Sequence, residues 1–395
     1  MTGPLYLAWR YLAYHRLKIG ILVASITLVV YLPAGLNVLV SQGAAELTER
    51  ADATPLLVGA PGSPLELVLN SLYFESDVSN TLPYGEVDRI ATSGLAEPIA
   101  LHVRFRARDH PIVGTTLEYF AFRALRLAAG RQMAVLGECV LGASAARSLD
   151  ARPGDRVVST PEHIFELAGT YPLEMRVVGV LAPAHTPDDH AIFVDVKTAW
   201  VIEGLAHGHQ DLAAPEADSA VLTRSESAIV ANASVVQYTE ITDANRASFH
   251  FHGDISRYPL TGLIAVPHDQ KAATILMGRH LGPNVTSQIV RPEAVMTELL
   301  DTVVTVQGYV VVAFLLVGAA MLATAALVFL LSLRLRRREI DTLVKVGGSR
   351  FSVATVVVSE MLAVIALSVA LGGGMTLLTA RVGAAAIRTV VLSGS

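Results

Sequence analysis

Charge is scarce in this chain. Only 16% of its 395 residues are Asp, Glu, Lys or Arg, while 52% are hydrophobic and the mean hydropathy is +0.49. Soluble domains carry about 25% charged residues, so a wholly soluble fold is excluded. Cysteine is scarcer still. The single Cys139 excludes a disulfide framework and any multi-cysteine zinc or iron–sulfur centre. It sits in an apolar stretch and reads as a packing residue. The phosphate-binding pattern GxxxxGK[ST] is missing, as are GxSxG and HExxH. The chain therefore has no P-loop, nucleophile elbow or zincin helix of its own, and it reads as non-catalytic. A net charge of −5 gives no reason to expect nucleic acid binding.

Uncharged runs are abundant. Ile19 to Val40 is 22 residues without a charge, and Thr302 to Leu333 is 32. A third run, Phe351 to Ala380, is broken only by Glu360. A spanning helix needs about 20 apolar residues, so each run reads as a transmembrane helix. The second exceeds that requirement, and its N-terminal end is expected to project as a stalk. The first is too long for a signal-peptide core and has no clean small-residue cleavage site.

Lys and Arg set the orientation. Arg10, Arg16 and Lys18 precede the first run without an acid, and six basic residues between the second and third runs outnumber Glu339 and Asp341. Both segments read as cytoplasmic. Residues 41–301 carry 19 Lys and Arg against 32 Asp and Glu, and 11 of the 12 histidines. That segment reads as extracytoplasmic. Leu5, Ala8, Trp9 and Leu12 recur at helical spacing, which predicts an interfacial amphipathic helix before the first span.

The expected fold is a membrane protein: an α-helical transmembrane bundle with a large extracytoplasmic mixed α+β domain between the first and second spans. Its parts are a cytoplasmic helix (1–18), a first span (19–40), an outer domain of two lobes (41–301) and a stalk with the second span (302–333). A cytoplasmic loop (334–350), a third span (351–380) and a tail (381–395) follow. Within the outer domain, strand signals at 55–60, 101–106, 110–114, 139–141, 175–181, 191–196, 260–266 and 286–290 alternate with helical spacing at 85–93, 144–149 and 269–280.

Two stretches carry a family resemblance. Arg336-Arg337-Arg338-Glu339-Ile340, Leu343-Val344, Gly347-Gly348 and then Ser359-Glu360-Met361 form the first. The second comprises Gly130-Arg131, Gly137-Glu138 to Gly142, Pro153-Gly154-Asp155, Val177-Val178-Gly179 and Asp189 to Asp195. In this order and layout they resemble the MacB/LolC/FtsX-type permeases of ABC systems, the mechanotransmission class. The resemblance implies an inner-membrane, multi-pass permease with a periplasmic domain, no bound cofactor, and ATP turned over by a separate ATPase subunit. It implies a second permease copy, identical or not, and a periplasmic adaptor or binding protein. Arg336 to Gly348 would be the ATPase-coupling element, with Ile340, Leu343 and Val344 as apolar contacts. Glu360 would brace the third span, although its position also allows solvation at headgroup level. The family has four spans. After Arg381 only 14 residues remain, with Arg388 among them, so either the chain has three spans or it is truncated. Gly372-Gly373-Gly374 allows close helix approach or a kink.

The expected function is coupling of ATP hydrolysis to movement of the outer domain, for export or release of a lipid, lipoprotein, peptide or amphiphile. An FtsX-like scaffold that activates an extracytoplasmic partner is the alternative. A further alternative is zinc-related transport through the histidine-containing loops. There His185, His190, His207 and His209 lie near Asp188, Asp189 and Asp211, and His250 and His252 form another pair. Spacing alone does not make them converge, so a solvated polar loop is the default expectation.

Overall fold

The structure is a computed structural model that describes residues 6, 10, 13–14, 16–160, 172–208, 221–224, 229–231, 239–282, 285–335 and 350–393. It forms two compact units, Met1–Leu47 with Glu298–Gly394, and Thr48–Thr297. The amphipathic-helix positions Leu5, Ala8, Trp9 and Leu12 lie outside the described residues.

The elements run in chain order from helix α1 (Arg16–Asp52) to strand β1 (Leu56–Gly59), α2 (Pro64–Val68), β2 (Leu82–Pro83) and α3 (Gly85–Ser93). Then come β3 (Ala96–Ala107), β4 (His110–Thr115), α4 (Leu117–Phe122), β5 (Leu127–Gly130), β6 (Glu138–Leu141) and α5 (Ala143–Leu149). Strands β7 (Arg156–Val158), β8 (Glu174–Leu181) and β9 (Ile192–Asp195) precede α6 (Val196–Ile202). Short strands follow: β10 (Ala206–Gly208), β11 (Val221–Arg224), β12 (Ile229–Ala231), β13 (Phe249–Phe251) and β14 (Pro259–Leu260). The chain closes with β15 (Gly262–Pro267), α7 (Gln270–Arg279), β16 (Gln288–Val290), α8 (Pro292–Leu335) and α9 (Arg350–Ser393).

In the larger unit, one ten-stranded sheet has the order β16-β1-β15-β3-β4-β9-β6-β8-β5, with β7 on β8. Pairing is antiparallel except for β4 with β9 and β6 with β8. Two apolar clusters lie along this single sheet. One gathers Phe105, Ile112, Cys139, Leu141, Met175 and Val194, and the other Leu56, Val58, Trp200, Leu263 and Leu276. The expected two lobes are thus two cores on one continuous sheet. Local chemistry fixes the helices. The Asp195 carboxylate accepts from the Lys197 N–H at 2.9 Å to cap α6, Asp269 caps α7 through Ala272 N–H, and Gly94 ends α3 with a left-handed φ of 66°.

Among the described residues, three helices are long and apolar enough to cross a membrane. At about 1.5 Å per residue, the 44 residues of α8 extend about 66 Å, more than twice a hydrocarbon core. Large apolar side chains along α8 face outward, with Leu316 68% exposed, as a lipid-facing surface requires. Helix α1 packs on α9 in the same direction: Thr27 Oγ1 donates to the Ser368 carbonyl, Tyr31 OH meets Thr379 Oγ1 at 3.0 Å, and Gln42 Nε2 donates to the Ala380 carbonyl at 2.8 Å. Against α8 the direction reverses, because Gly318 approaches Val29 while Gln307 Nε2 donates to Asn37 Oδ1 at 3.1 Å. Of the three consecutive glycines, only Gly372 is a close-approach site. A Cβ there would lie 3.1 Å from Val30, whereas Gly373 and Gly374 face open space. Two helices run past their apolar stretches: α1 continues beyond Val40 to Asp52, and α9 passes Arg381 to reach Ser393.

Candidate functional site

The last turn of α1 carries Arg50, and the fold buries that guanidinium to 7% exposure. Burial of a cation is costly unless every bond is met by an opposite charge. Asp188 supplies the charge. Its Oδ2 accepts from Arg50 Nη1 at 2.6 Å, and its Oδ1 accepts from Nη2 at 2.9 Å. Tyr119 of α4 closes the triangle, donating its hydroxyl to Asp188 Oδ1 at 2.7 Å while accepting from Arg50 Nη2 at 2.8 Å. Thr186 Oγ1 adds a bond to Asp188 Oδ2, and the Arg50 guanidinium lies over the Phe74 ring. A second cation, Arg123, donates to Thr54 Oγ1 at 2.8 Å just beyond the end of α1.

Arg50 and Asp188 offset each other in a dry setting. Burial opposes ionisation of Asp188, but the field of Arg50 and the bonds from Arg50 and Tyr119 outweigh it and hold the carboxyl below its usual range. Burial pushes the Tyr119 phenol up, so it stays a neutral donor. Arg123 is lowered from its usual value, first by burial and then by the neighbouring Arg50. The cluster is a joint that fastens the last turn of α1 to the turn that presents Asp188.

Residues of the outer-domain pattern shape this joint and its surroundings. Asp188 is presented by the 3-10 turn Pro187–His190. That turn lies against Gly142, where any Cβ would collide with the carbonyls of Asp188 and Asp189. Asp189 accepts from the N–H groups of Ala184 and His185, both at 2.9 Å, and so fixes the approach to the turn. Gly130 has φ of 76°, and a Cβ there would strike the Val178 carbonyl. Arg131 pairs with Glu138. Burial opposes the charge on Glu138, but Arg131 and the Ala134 and Val135 N–H groups keep its pKa below the ordinary value. An open polar cleft of about 540 Å³ lies beside this pair, lined by Glu138, Arg156, Arg176, Glu240 and Arg246 among others. Arg156 and Glu240 bridge at 2.7 Å within it.

The other residues singled out from sequence are placed as follows. Glu360 is 2% exposed in the smaller unit, one turn from Val364 and two from Ser368 on the buried row of α9. His185 contributes its backbone N–H, and His190 stacks on His110. His207 meets His250 and His252 rather than His185 or His190. His209 lies outside the described residues, as do Arg336, Arg337, Arg338, Glu339, Ile340, Leu343, Val344, Gly347 and Gly348. Sequence reasoning missed Arg50 and Tyr119. The available signal was an Arg closing a long helix whose other neighbours are small or acidic.

A family profile described as the MacB-like periplasmic core domain matches residues 18–244. The fold is similar to the periplasmic region of MacB from Actinobacillus actinomycetemcomitans, at 10% identity and a TM-score of 0.35, covering 64% of this chain and 97% of that one. It is also similar to the extracellular domain of the noncanonic ABC-type transporter YknZ from Gram-positive bacteria, at 11% identity and a TM-score of 0.32, covering 60% and 99%. No curated protein matches the sequence. The profile spans more than half of the chain, and the three apolar helices flank its domain as a permease requires. The chain belongs to the MacB-like periplasmic core domain family of ABC transporter permeases.

Proposed function

We propose that this permease carries ATP-driven motion from a separate cytoplasmic ATPase subunit into its extracytoplasmic domain. One observation supports the reading most strongly. Membrane helices α1 and α8 feed adjacent strands of one sheet: three residues separate α1 from β1, and only Arg291 separates β16 from α8. Leu57 of β1 pairs with Val290 of β16 in the antiparallel ladder, so the two helix connections meet on a single hydrogen-bonded ribbon. Short connections dissipate little displacement, and the Arg50–Asp188 joint fastens one of them. The work done would be export or release of a lipid, lipoprotein, peptide or amphiphile taken from the outer side. The spans are too apolar to line a hydrophilic path. A second permease copy and a periplasmic adaptor or binding protein complete the complex.

The cytoplasmic end of the path is the segment Arg336 to Gly348, with Leu343 and Val344 as the apolar contact on the ATPase. Leu343→Asp places a charge in that contact, which costs several kcal/mol if it stays buried. The expected result is loss of the ATPase subunit on purification of a normally inserted permease. Undiminished co-purification would remove this segment from the coupling role.

A further inference from the structure

Three histidines converge on one face of a two-stranded ribbon outside the main sheet. In the ladder of β10 and β13, His207 stands directly opposite His250, and Ala206 opposite Phe251. Directly opposed residues share a face, and so do residues two apart on one strand. His207, His250 and His252 therefore project together, while Phe249 and Phe251 turn to the apolar cores. The three ring centroids form a nearly equilateral triangle, 4.9 Å from His207 to His250, 4.8 Å from His207 to His252 and 4.7 Å from His250 to His252. One ring nitrogen from each lies within 4.8 Å of the others.

We propose that His207, His250 and His252 form a binding site for a divalent transition-metal ion of the zinc class. Three imidazole ligands suit such an ion and suit calcium or magnesium poorly. The surroundings are prepared for ligation. His250 Nδ1 lies 2.9 Å from the Ser248 carbonyl, which can only accept, so this nitrogen donates and the bond orients the ring. The backbone is held from behind. Tyr258 OH lies 2.8 Å from the His252 carbonyl and 3.1 Å from the Leu205 carbonyl, reaching both strands with one hydroxyl. Tyr258 packs edge-on to buried Trp200, and Phe251 does the same. The rings are thus carried on a backbone anchored to the core. A bound ion would clasp β10 to β13. This inference stands on the side-chain cluster and is independent of the transport reading.

The test uses the full chain in detergent, stripped with chelator and titrated with Zn²⁺ alone. One ion per chain is expected, and Co²⁺ in its place should give the intense visible absorption of a low-coordinate nitrogen site. His250→Gln together with His252→Gln should weaken Zn²⁺ binding about 100-fold or more and abolish the Co²⁺ band. His190→Ala, outside the cluster, should leave both unchanged. A wild-type chain that takes up no stoichiometric Zn²⁺ would overturn the site. So would a folded double variant that binds as tightly as wild type.

Discussion

Arg50 and Asp188 are joined by two charge-assisted hydrogen bonds, 2.6 and 2.9 Å long, although they lie 138 residues apart in the chain. The pair fixes the last turn of α1 to the 3-10 turn between β8 and β9, and Tyr119 shares both partners. Such bidentate geometry resists rotation as well as separation.

Asp188→Asn keeps the shape of the acceptor and removes its charge. Arg50 is then buried without a counter-ion, which costs about 3–5 kcal/mol. Thermal unfolding of the extracytoplasmic unit in the solubilised protein should drop accordingly. The paired replacement Arg50→Met with Asp188→Leu should recover most of the loss, because it removes both charges together. An Asp188→Asn protein that melts like wild type would show that the pair bears no structural load.

Acid should act on the same place. The folded-state pKa of Asp188 is depressed, and so is that of Glu138. Their unfolded values are about 3.9 and 4.3. The stability these groups contribute is fully present above those values and is lost as pH falls through the folded ones. Unfolding midpoints measured in denaturant between pH 7 and pH 2 should therefore fall below about pH 4, and the fall should be shallower in Asp188→Asn. Equal slopes in the two proteins would exclude Asp188 as the titrating group.

The orientation of the domain can be read with a single thiol. Cys139 is fully buried, and burial pushes its thiol pKa up, so it should be silent toward maleimides. Gly62 lies in an exposed turn with open space around its Cα. Gly62→Cys in intact cells should react with a membrane-impermeant maleimide. Labelling seen only after the membrane is opened would place the domain in the cytoplasm.

Much of the fold could be read from sequence because its signals are local. The strands at 139–141 and 175–181, the helix at 85–93 and the apolar runs each follow from period, capping and turn chemistry within a few residues. The outer pattern also had a local sense, since Gly142 and Asp189 build the turn that presents Asp188. What that turn presents Asp188 to was not legible. Arg50 reaches it only once the sheet is assembled, and no spacing rule joins residues so far apart. The histidines make the same point. Sequence spacing pairs His207 with His209, yet strand pairing carries it to His250 and His252.

We propose that motion enters the domain through the direct connections of α1 and α8 to β1 and β16. Four Gly and Ser residues inserted between Arg291 and Pro292 would turn one connection into a flexible tether without touching either element. The deciding measurement is the ATP-driven change in distance between spin labels at Lys271→Cys, an exposed position on α7, in the two permease copies of the reconstituted complex. The account predicts a clear ATP-dependent shift in the uninserted protein and its loss in the insertion variant, with the ATPase subunit still bound. A shift of equal size in both proteins would contradict it.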